Sequence, residues 1–511
     1  ALLLFILINS ASQKLIGARY FNKGVLAQDP NISFVYNLPR DETGHESPTM
    51  SIAARNYVRA LADDVDIISM SMSFRGALPY EDLIFIASFT AMEKGVLVSF
   101  SVGNRGSNLM TVAGNPWSLT TGVNTIDRQL AGTLTLDNGK TIIGWSLFLG
   151  RTLLNASLVY NETLTGCNSP TLLSEYANNA IVVCSEGPRM SNQISTVIES
   201  TVTGVIFIST DEREEYLINY AKLTIVPKAT IKFRQTFVGR GAKRAPQIPE
   251  YSFQRPSQNY RGVLKPDVVA PGSQVLAAWS PKVAIGRVGR NNLFLSSNYN
   301  ILSGTLMACP HASGVAALLK GAHADWSRTT IRSTMMTTTN PLDNTNNLIL
   351  DVEISRPVSG LDMEAGQIDP NKALNPGLIY DADVQNYVNY ICSLNFTRKQ
   401  FLTIARSSSY NCLNPSSHLN YPTFIASFSE ISPTTQEFKR TVTNVGDGSF
   451  TYSVELTQPS GAIVSTGAMK LGRDAIVLTQ TAKSRSIGFL SQSFNDGKSE
   501  ETTTIKAAGN P

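Results

Sequence analysis

Ser303-Gly304-Thr305-Leu306-Met307-Ala308-Cys309-Pro310-His311-Ala312-Ser313-Gly314 opens a run rich in glycine and alanine that continues to Lys320. The run reads as a helix from Gly304 to Lys320. Working outward, Pro266-Asp267-Val268-Val269-Ala270-Pro271-Gly272 just upstream has the texture of an α/β domain. Val65-Asp66-Ile67-Ile68-Ser69-Met70-Ser71-Met72 is a short, β-rich apolar run, as in a strand inside a parallel sheet. Gly95-Val96-Leu97-Val98-Ser99-Phe100-Ser101-Val102 is a second such strand, and a helical stretch from Tyr80 to Glu93 lies between the two. Strand, helix, strand in that order predicts an α/β domain with a parallel sheet.

From about 128 to 236 the texture changes. Thr133 to Gly144 reads as a hairpin turning at Asn138-Gly139. Short strands are expected at Ala180–Cys184, Gly204–Ile208 and Ala229–Phe233, making a small β-rich insert. Gly239 to Tyr260 is a linker rich in Gly, Pro, Arg and Gln. After about 400 apolar and polar residues alternate, as in Glu437 to Val445, which predicts a β-sandwich.

A chain of 511 residues exceeds one hydrophobic core and implies about two to four domains. Its 42% hydrophobic and 16% charged content describes a globular protein. A net charge of +4 argues for neither nucleic acid nor an anionic membrane. No basic run interleaved with aromatics appears, so nucleic-acid binding is excluded as a reading. Ala1 to Ile8 is apolar but too short to span a bilayer. Its readings are the end of a signal-peptide core, a buried strand and an artefact of a truncated chain start. No other stretch is long enough to span, so no membrane span is expected. Five cysteines fall as two closely spaced couples plus Cys309, which suits two disulfides and one free buried thiol. Sequons at Asn31, Asn155, Asn161 and Asn395 fit a secreted, glycosylated chain. No cysteine/histidine cluster has zinc spacing, so no metal and no cofactor is expected.

The stretch from Ser303 to Gly314 resembles the nucleophile signature of plant subtilases, the subtilisin-like serine proteases, in which it reads S-G-T-S-M-A-C-P-H-A-S-G. The resemblance extends through Lys14-Leu15-Ile16-Gly17-Ala18-Arg19-Tyr20-Phe21, Asn340-Pro341-Leu342-Asp343-Asn344 and Pro376-Gly377-Leu378-Ile379-Tyr380, over most of 14–460. It implies a subtilisin-like catalytic domain at 13–127 and 237–395, a β-rich protease-associated insert at 128–236, and a fibronectin type III-like β-sandwich at 400–511. It also implies disulfides Cys167–Cys184 and Cys392–Cys412, with Cys309 free, and protein or peptide substrates.

A serine protease needs a nucleophilic serine, a histidine base, an aspartate that orients the base, and donors for the oxyanion. Asp41-Glu42-Thr43-Gly44-His45-Glu46-Ser47-Pro48-Thr49 resembles the family's D-x-x-G-H-G-T-H-T, which places the general base on His45. Ser101-Val102-Gly103-Asn104-Arg105-Gly106 resembles S-A-G-N-E-G, which places the oxyanion donor on Asn104. The nucleophile position is Leu306, whose side chain has no lone pair with which to attack a carbonyl. The family's aspartate lies on an early strand before the K-L-I-G-A-R-Y-F segment. Thirteen residues precede Lys14 here and none is acidic, so the orienting aspartate is expected to be missing. Six residues, Arg59 to Asp64, stand where the family has a further strand and helix, so the parallel sheet is expected to be incomplete. A second deletion falls near Lys222–Lys228.

These losses predict a catalytically inactive subtilase homologue. The alternatives are an active secreted serine endopeptidase whose sequence here is incomplete or mis-assembled, and an extracellular protein-interaction module. The parts at 128–236 and 400–511 are expected to be more autonomous than the α/β part.

Overall fold

A computed structural model of the chain describes residues 64–70 and, with short interruptions, 78–509; beyond Gly446 it describes backbone elements alone. His45, Asn31 and Arg105 lie outside the described residues. The chain divides into two compact units, 1–126 with 245–277 and 301–511, and 127–244 with 278–300.

In the first unit the described residues form a four-stranded parallel sheet. Its strands are β1 (Ile67–Met70), β2 (Leu97–Ser101), β3 (Leu119–Asn124) and β4 (Val268–Pro271), paired in that order. The run Leu97–Ser101 is buried throughout, as expected of a strand covered on both faces. Helix α1 (Leu83–Glu93) connects β1 to β2. It starts where the Asp82 carboxylate accepts the Ile84 and Phe85 N–H groups at 2.8 and 3.3 Å. Helix α2 (Thr305–Ala322) lies on the sheet and touches all four strands. Ala308, Ala312, Ala316 and Leu319 are fully buried, and their spacing puts them on one helical face. Three alanines on that face let the helix approach the sheet closely. The core they enter includes Phe89, Trp117, Leu119 and Val123.

The second unit contains a six-stranded sheet built from Gln129–Leu136, Thr141–Trp145, Leu153–Val159, Ile181–Ser185, Gly204–Ile208 and Lys228–Phe237. The expected hairpin is there: the Leu136 N–H donates to the Lys140 carbonyl at 2.9 Å, and Gly139 takes φ +84°. Beside the expected strands the insert holds three helices, Pro170–Tyr176, Met190–Glu199 and Glu212–Leu223. Two carried readable signals. Ser169 caps the first, with Pro170 in its opening turn. Leu217, Tyr220 and Ala221 form the buried stripe of the third, at i, i+3 and i+4. Cys167 and Cys184 form a disulfide with Cα atoms 5.9 Å apart.

The C-terminal strands form two four-stranded sheets. Their expected start near 400 falls instead on a helix. Arg398–Ala405 is a helix whose Phe401, Ile404 and Ala405 enter the core around Trp117. The disulfide Cys392–Cys412, Cα atoms 5.6 Å apart, spans this helix within the α/β unit, and Cys309 is free and buried. Leu378–Ile379, which precedes these helices, pairs antiparallel with Thr443 and Asn444 and so completes one C-terminal sheet.

A buried polar cluster ties the same parts together. Lys265 Nζ lies 2.6 Å from Asp267 Oδ2, and neither side chain is exposed at all. The ammonium also donates to the Ser118 carbonyl and to Tyr421 Oη, each at 3.0 Å. The Tyr421 hydroxyl donates to Asp267 Oδ1, and the Thr120 N–H reaches Oδ2 at 2.5 Å. Beside them Arg440 donates to the Tyr421 and Thr423 carbonyls at 2.6 and 2.8 Å. Burial pulls its guanidinium down to about 10. Among the described residues no helix is long and apolar enough to cross a membrane, and no group of histidine, cysteine and carboxylate side chains is arranged to hold a metal ion.

Candidate active site

The site begins where β2 ends. Ser101 closes the strand, Gly103 takes φ +110°, and the chain turns to present Asn104 at the surface. The N-terminus of α2 comes up beside it. Gly304, the residue before the helix, offers no side chain to cap it. Asn104 supplies the cap from the end of β2: its Oδ1 accepts the Thr305 N–H and the Thr305 hydroxyl, both at 2.8 Å.

This pair fixes the amide's orientation. A backbone N–H only donates, so the atom it meets is the carbonyl oxygen of the Asn104 side chain. The Gly103 N–H donates to Thr305 Oγ1 at 3.2 Å, which leaves the hydroxyl proton for Asn104. With Oδ1 committed to Thr305, Nδ2 is the end of the amide available to a ligand. A fixed amide donor needs no reorganisation when charge develops on a bound carbonyl.

The approach is tight. A methyl group on Gly304 would stand 3.0 Å from Asn104 Nδ2. Gly272 accepts the Gly304 N–H at 2.8 Å, and a Cβ on Gly272 would meet Val123 at 2.4 Å and the Gly304 carbonyl at 2.8 Å. Two glycines therefore let the end of β4 and the start of α2 close together. On the outer side, the Ser303 hydroxyl accepts the Gln274 N–H at 2.9 Å.

Leu306 is the second residue of α2, half-buried and directly after the Asn104 clamp. Asn104 and Leu306, 202 positions apart in sequence by subtraction, are thus brought together through Thr305, as the motifs imply. Three of the four histidines are described. His311 Nδ1 is 2.8 Å from the Met307 carbonyl on its own helix. His323 bonds the Leu374 carbonyl and stacks on Trp326, and His418 lies in the C-terminal part. None of these three hydrogen-bonds to the Asn104–Thr305 cluster. The residue that sequence reasoning missed is Thr305, whose N–H and hydroxyl both bond Asn104. Its signal was its place at the first turn of a helix, where a hydroxyl meets unpaired backbone groups.

The clamp makes a separable prediction. Asn104→Ala removes a helix cap and is expected to cost about 0.5–2 kcal/mol. Asn104→Asp keeps the acceptor and adds a negative charge at a helix N-terminus, a favourable change of about 0.3–1 kcal/mol. Urea unfolding of the two variants should therefore rank Asp at or above the parent and Ala below it. Equal losses in both would mean that the Oδ1 contacts carry no weight.

The subtilase family model matches residues 38–355, and a fibronectin type-III domain model matches residues 418–486. Over 523 residues the chain is 43% identical to the subtilisin-like protease SBT3 of Solanum lycopersicum, covering 89% of this chain and 68% of that protein. It is 32% identical over 554 residues to the subtilisin-like protease SBT1.5 of Arabidopsis thaliana, covering 91% and 71% of the two chains. The subtilisin-like protease SBT1.7 of the same plant is 33% identical over 535 residues, covering 88% and 69%.

Proposed function

Since the chain belongs to the subtilase family of subtilisin-like serine proteases, we propose that it is a secreted member that no longer cleaves peptide bonds. The observation that carries the reading is Leu306. The bonds from Thr305 to Asn104 at the start of α2 support the reading, and the residue at the position that the resemblance gives to the nucleophile is a hydrocarbon. In subtilisin itself, removing the nucleophile or the base lowers kcat by about 10⁶-fold. Oxyanion donors and binding alone leave about 10³–10⁴-fold over water, too little for turnover on a cellular timescale.

Asn104 Nδ2 and the backbone at the head of α2 remain suited to holding a peptide carbonyl. We therefore assign the chain protein or peptide ligands without a covalent step, His45 being the residual base position. The insert at 128–236 is read as a protease-associated domain, and its disulfide supports folding in an oxidising compartment outside the cytosol. The test is incubation of the purified chain with unfolded protein and fluorogenic peptides. No turnover above buffer is expected, and cleavage that co-purifies with the chain would overturn the proposal.

A further inference from the structure

In the first unit a cavity of about 510 Å³ opens between α1 and the helix Arg398–Ala405. Ordinary ligand pockets measure roughly 300–1,000 Å³. Leu83 and Ile86 line it from α1, Leu402 and Thr403 from the second helix, and Arg406, Ser407 and Ser408 from the turn that follows. Leu83 is 43% exposed at the head of a helix that is buried from Ile84 to Phe89. The two walls are joined at both ends. Tyr80, ahead of α1, meets Phe396, ahead of the second helix, edge-on at 5.7 Å. Glu93, at the end of α1, hydrogen-bonds Tyr410, beyond the second helix. The disulfide Cys392–Cys412 ties the chain after the turn back to the helix Val384–Cys392. The cavity is thus formed before any ligand arrives.

Its charge is of one sign. Arg406 is exposed, and among the described residues neither its guanidinium nor the Ser408 hydroxyl has a hydrogen-bond or ion-pair partner. The acids of the flanking elements are engaged elsewhere. Asp82 accepts the first N–H groups of α1, Glu81 accepts the Leu78 N–H at 3.3 Å, and Glu93 bonds Tyr410. The helix Arg398–Ala405 carries no acid. Arg406 takes φ +50° at the end of that helix, its N–H donating to the Leu402 carbonyl at 2.9 Å. Glycine adopts this conformation without strain and is the usual residue there. The turn alone does not call for an arginine.

We propose that this cavity binds the C-terminal residue of a peptide whose last side chain is apolar, the carboxylate on Arg406 and the side chain against Leu83, Ile86 and Leu402. A guanidinium presents a planar fork that meets a carboxylate through two parallel bonds. In a peptide only the last residue bears a carboxylate on the carbon that carries its side chain, which sets the charge beside the apolar floor. The amide N–H of that residue can donate to the Ser408 hydroxyl, a contact that a fatty acid cannot make. The cavity shares no residue with Asn104, Thr305 or Leu306, so it stands apart from the peptide ligands assigned to that site above.

The experiment titrates the full chain, disulfides intact, against a fluorescein-labelled Gly-Ser-Gly-Ser-Gly-Leu peptide and reads fluorescence anisotropy. Saturable binding is expected. Amidation of the peptide's C-terminus should weaken it by about tenfold or more, the scale of a lost bond to a charged group. Arg406→Gly should weaken it as much while unfolding in urea no earlier than the parent, because glycine suits the turn; this separates loss of the guanidinium from failure to fold. Leu83→Asp, at an exposed position, should also weaken binding, whereas Lys399→Gln on the same helix and Asn104→Ala should leave it unchanged. No saturable binding by the parent, equal binding of acid and amide peptides, or binding that survives Arg406→Gly would overturn the proposal. Loss of binding in Asn104→Ala with Arg406→Gly unaffected would place the peptide at the Asn104 site and overturn it too. So would displacement by dodecanoate at a lower concentration than by the unlabelled peptide, which would make the occupant a fatty acid.

Discussion

Asp267→Ala is expected to destabilise the α/β unit by about 3–5 kcal/mol, a large part of a domain's usual ~5–15 kcal/mol. The carboxylate receives the Lys265 ammonium, the Tyr421 hydroxyl and the Thr120 N–H, all in a site without solvent. Burial pushes the Asp267 carboxyl up, and the charges of Lys265 and Arg332 pull against that. An ion pair of this kind adds little by being formed, because desolvation offsets most of the attraction. Removing one partner is different: it leaves Lys265 charged and fully buried without its carboxylate, while the Ser118 carbonyl and Tyr421 Oη that still accept from it carry no compensating charge. Tyr421→Phe deletes one hydroxyl and keeps the pair, so its cost should be smaller, about 1–3 kcal/mol. Because Tyr421 leads into the C-terminal sheets and Leu378–Ile379 completes one of them, both variants should move a single unfolding transition of the first unit. Urea titration followed by tryptophan fluorescence and far-UV circular dichroism measures this. A loss below about 1 kcal/mol for Asp267→Ala, or C-terminal strands that melt apart from the α/β core, would contradict the assignment.

The parallel sheet and its long helix were legible because their signals are local. Leu97–Ser101 is an uninterrupted buried run, and the alanines of α2 repeat on one helical face. Motif resemblance placed Asn104 and Leu306 at one site. The clamp between them was not legible, because which way the Thr305 hydroxyl turns is set by a strand end 201 residues away. The Lys265 cluster was hidden for a similar reason. A lysine next to a proline reads as solvent-facing, and its burial depends on Tyr421, which lies 156 positions further along. The helix Glu212–Leu223 was missed although Leu217, Tyr220 and Ala221 mark its inner face, since the surrounding strands drew the reading toward β structure. That Leu378–Ile379 completes a C-terminal sheet was not legible, because alternation along Glu437–Val445 reports a strand and says nothing of what pairs with it.

The largest effect concerns catalysis. On the proposed function, a subtilase of ordinary activity and this chain should differ by about 10⁶-fold in kcat, since the position that the motif resemblance gives to the nucleophile is Leu306, which offers no atom to form an acyl-enzyme. Ser303 does not replace it: its hydroxyl is engaged with the Gln274 N–H, and its backbone lies ahead of the helix. Thr305 does not replace it either, because its hydroxyl donates to Asn104 and accepts from Gly103. The measurement that tests this most directly is labelling of the folded chain with a serine-directed fluorophosphonate probe, read by intact mass. The expected result is no adduct, before or after denaturation. Stoichiometric labelling of the folded chain that disappears when it is denatured would show an activated serine in the site and contradict the account.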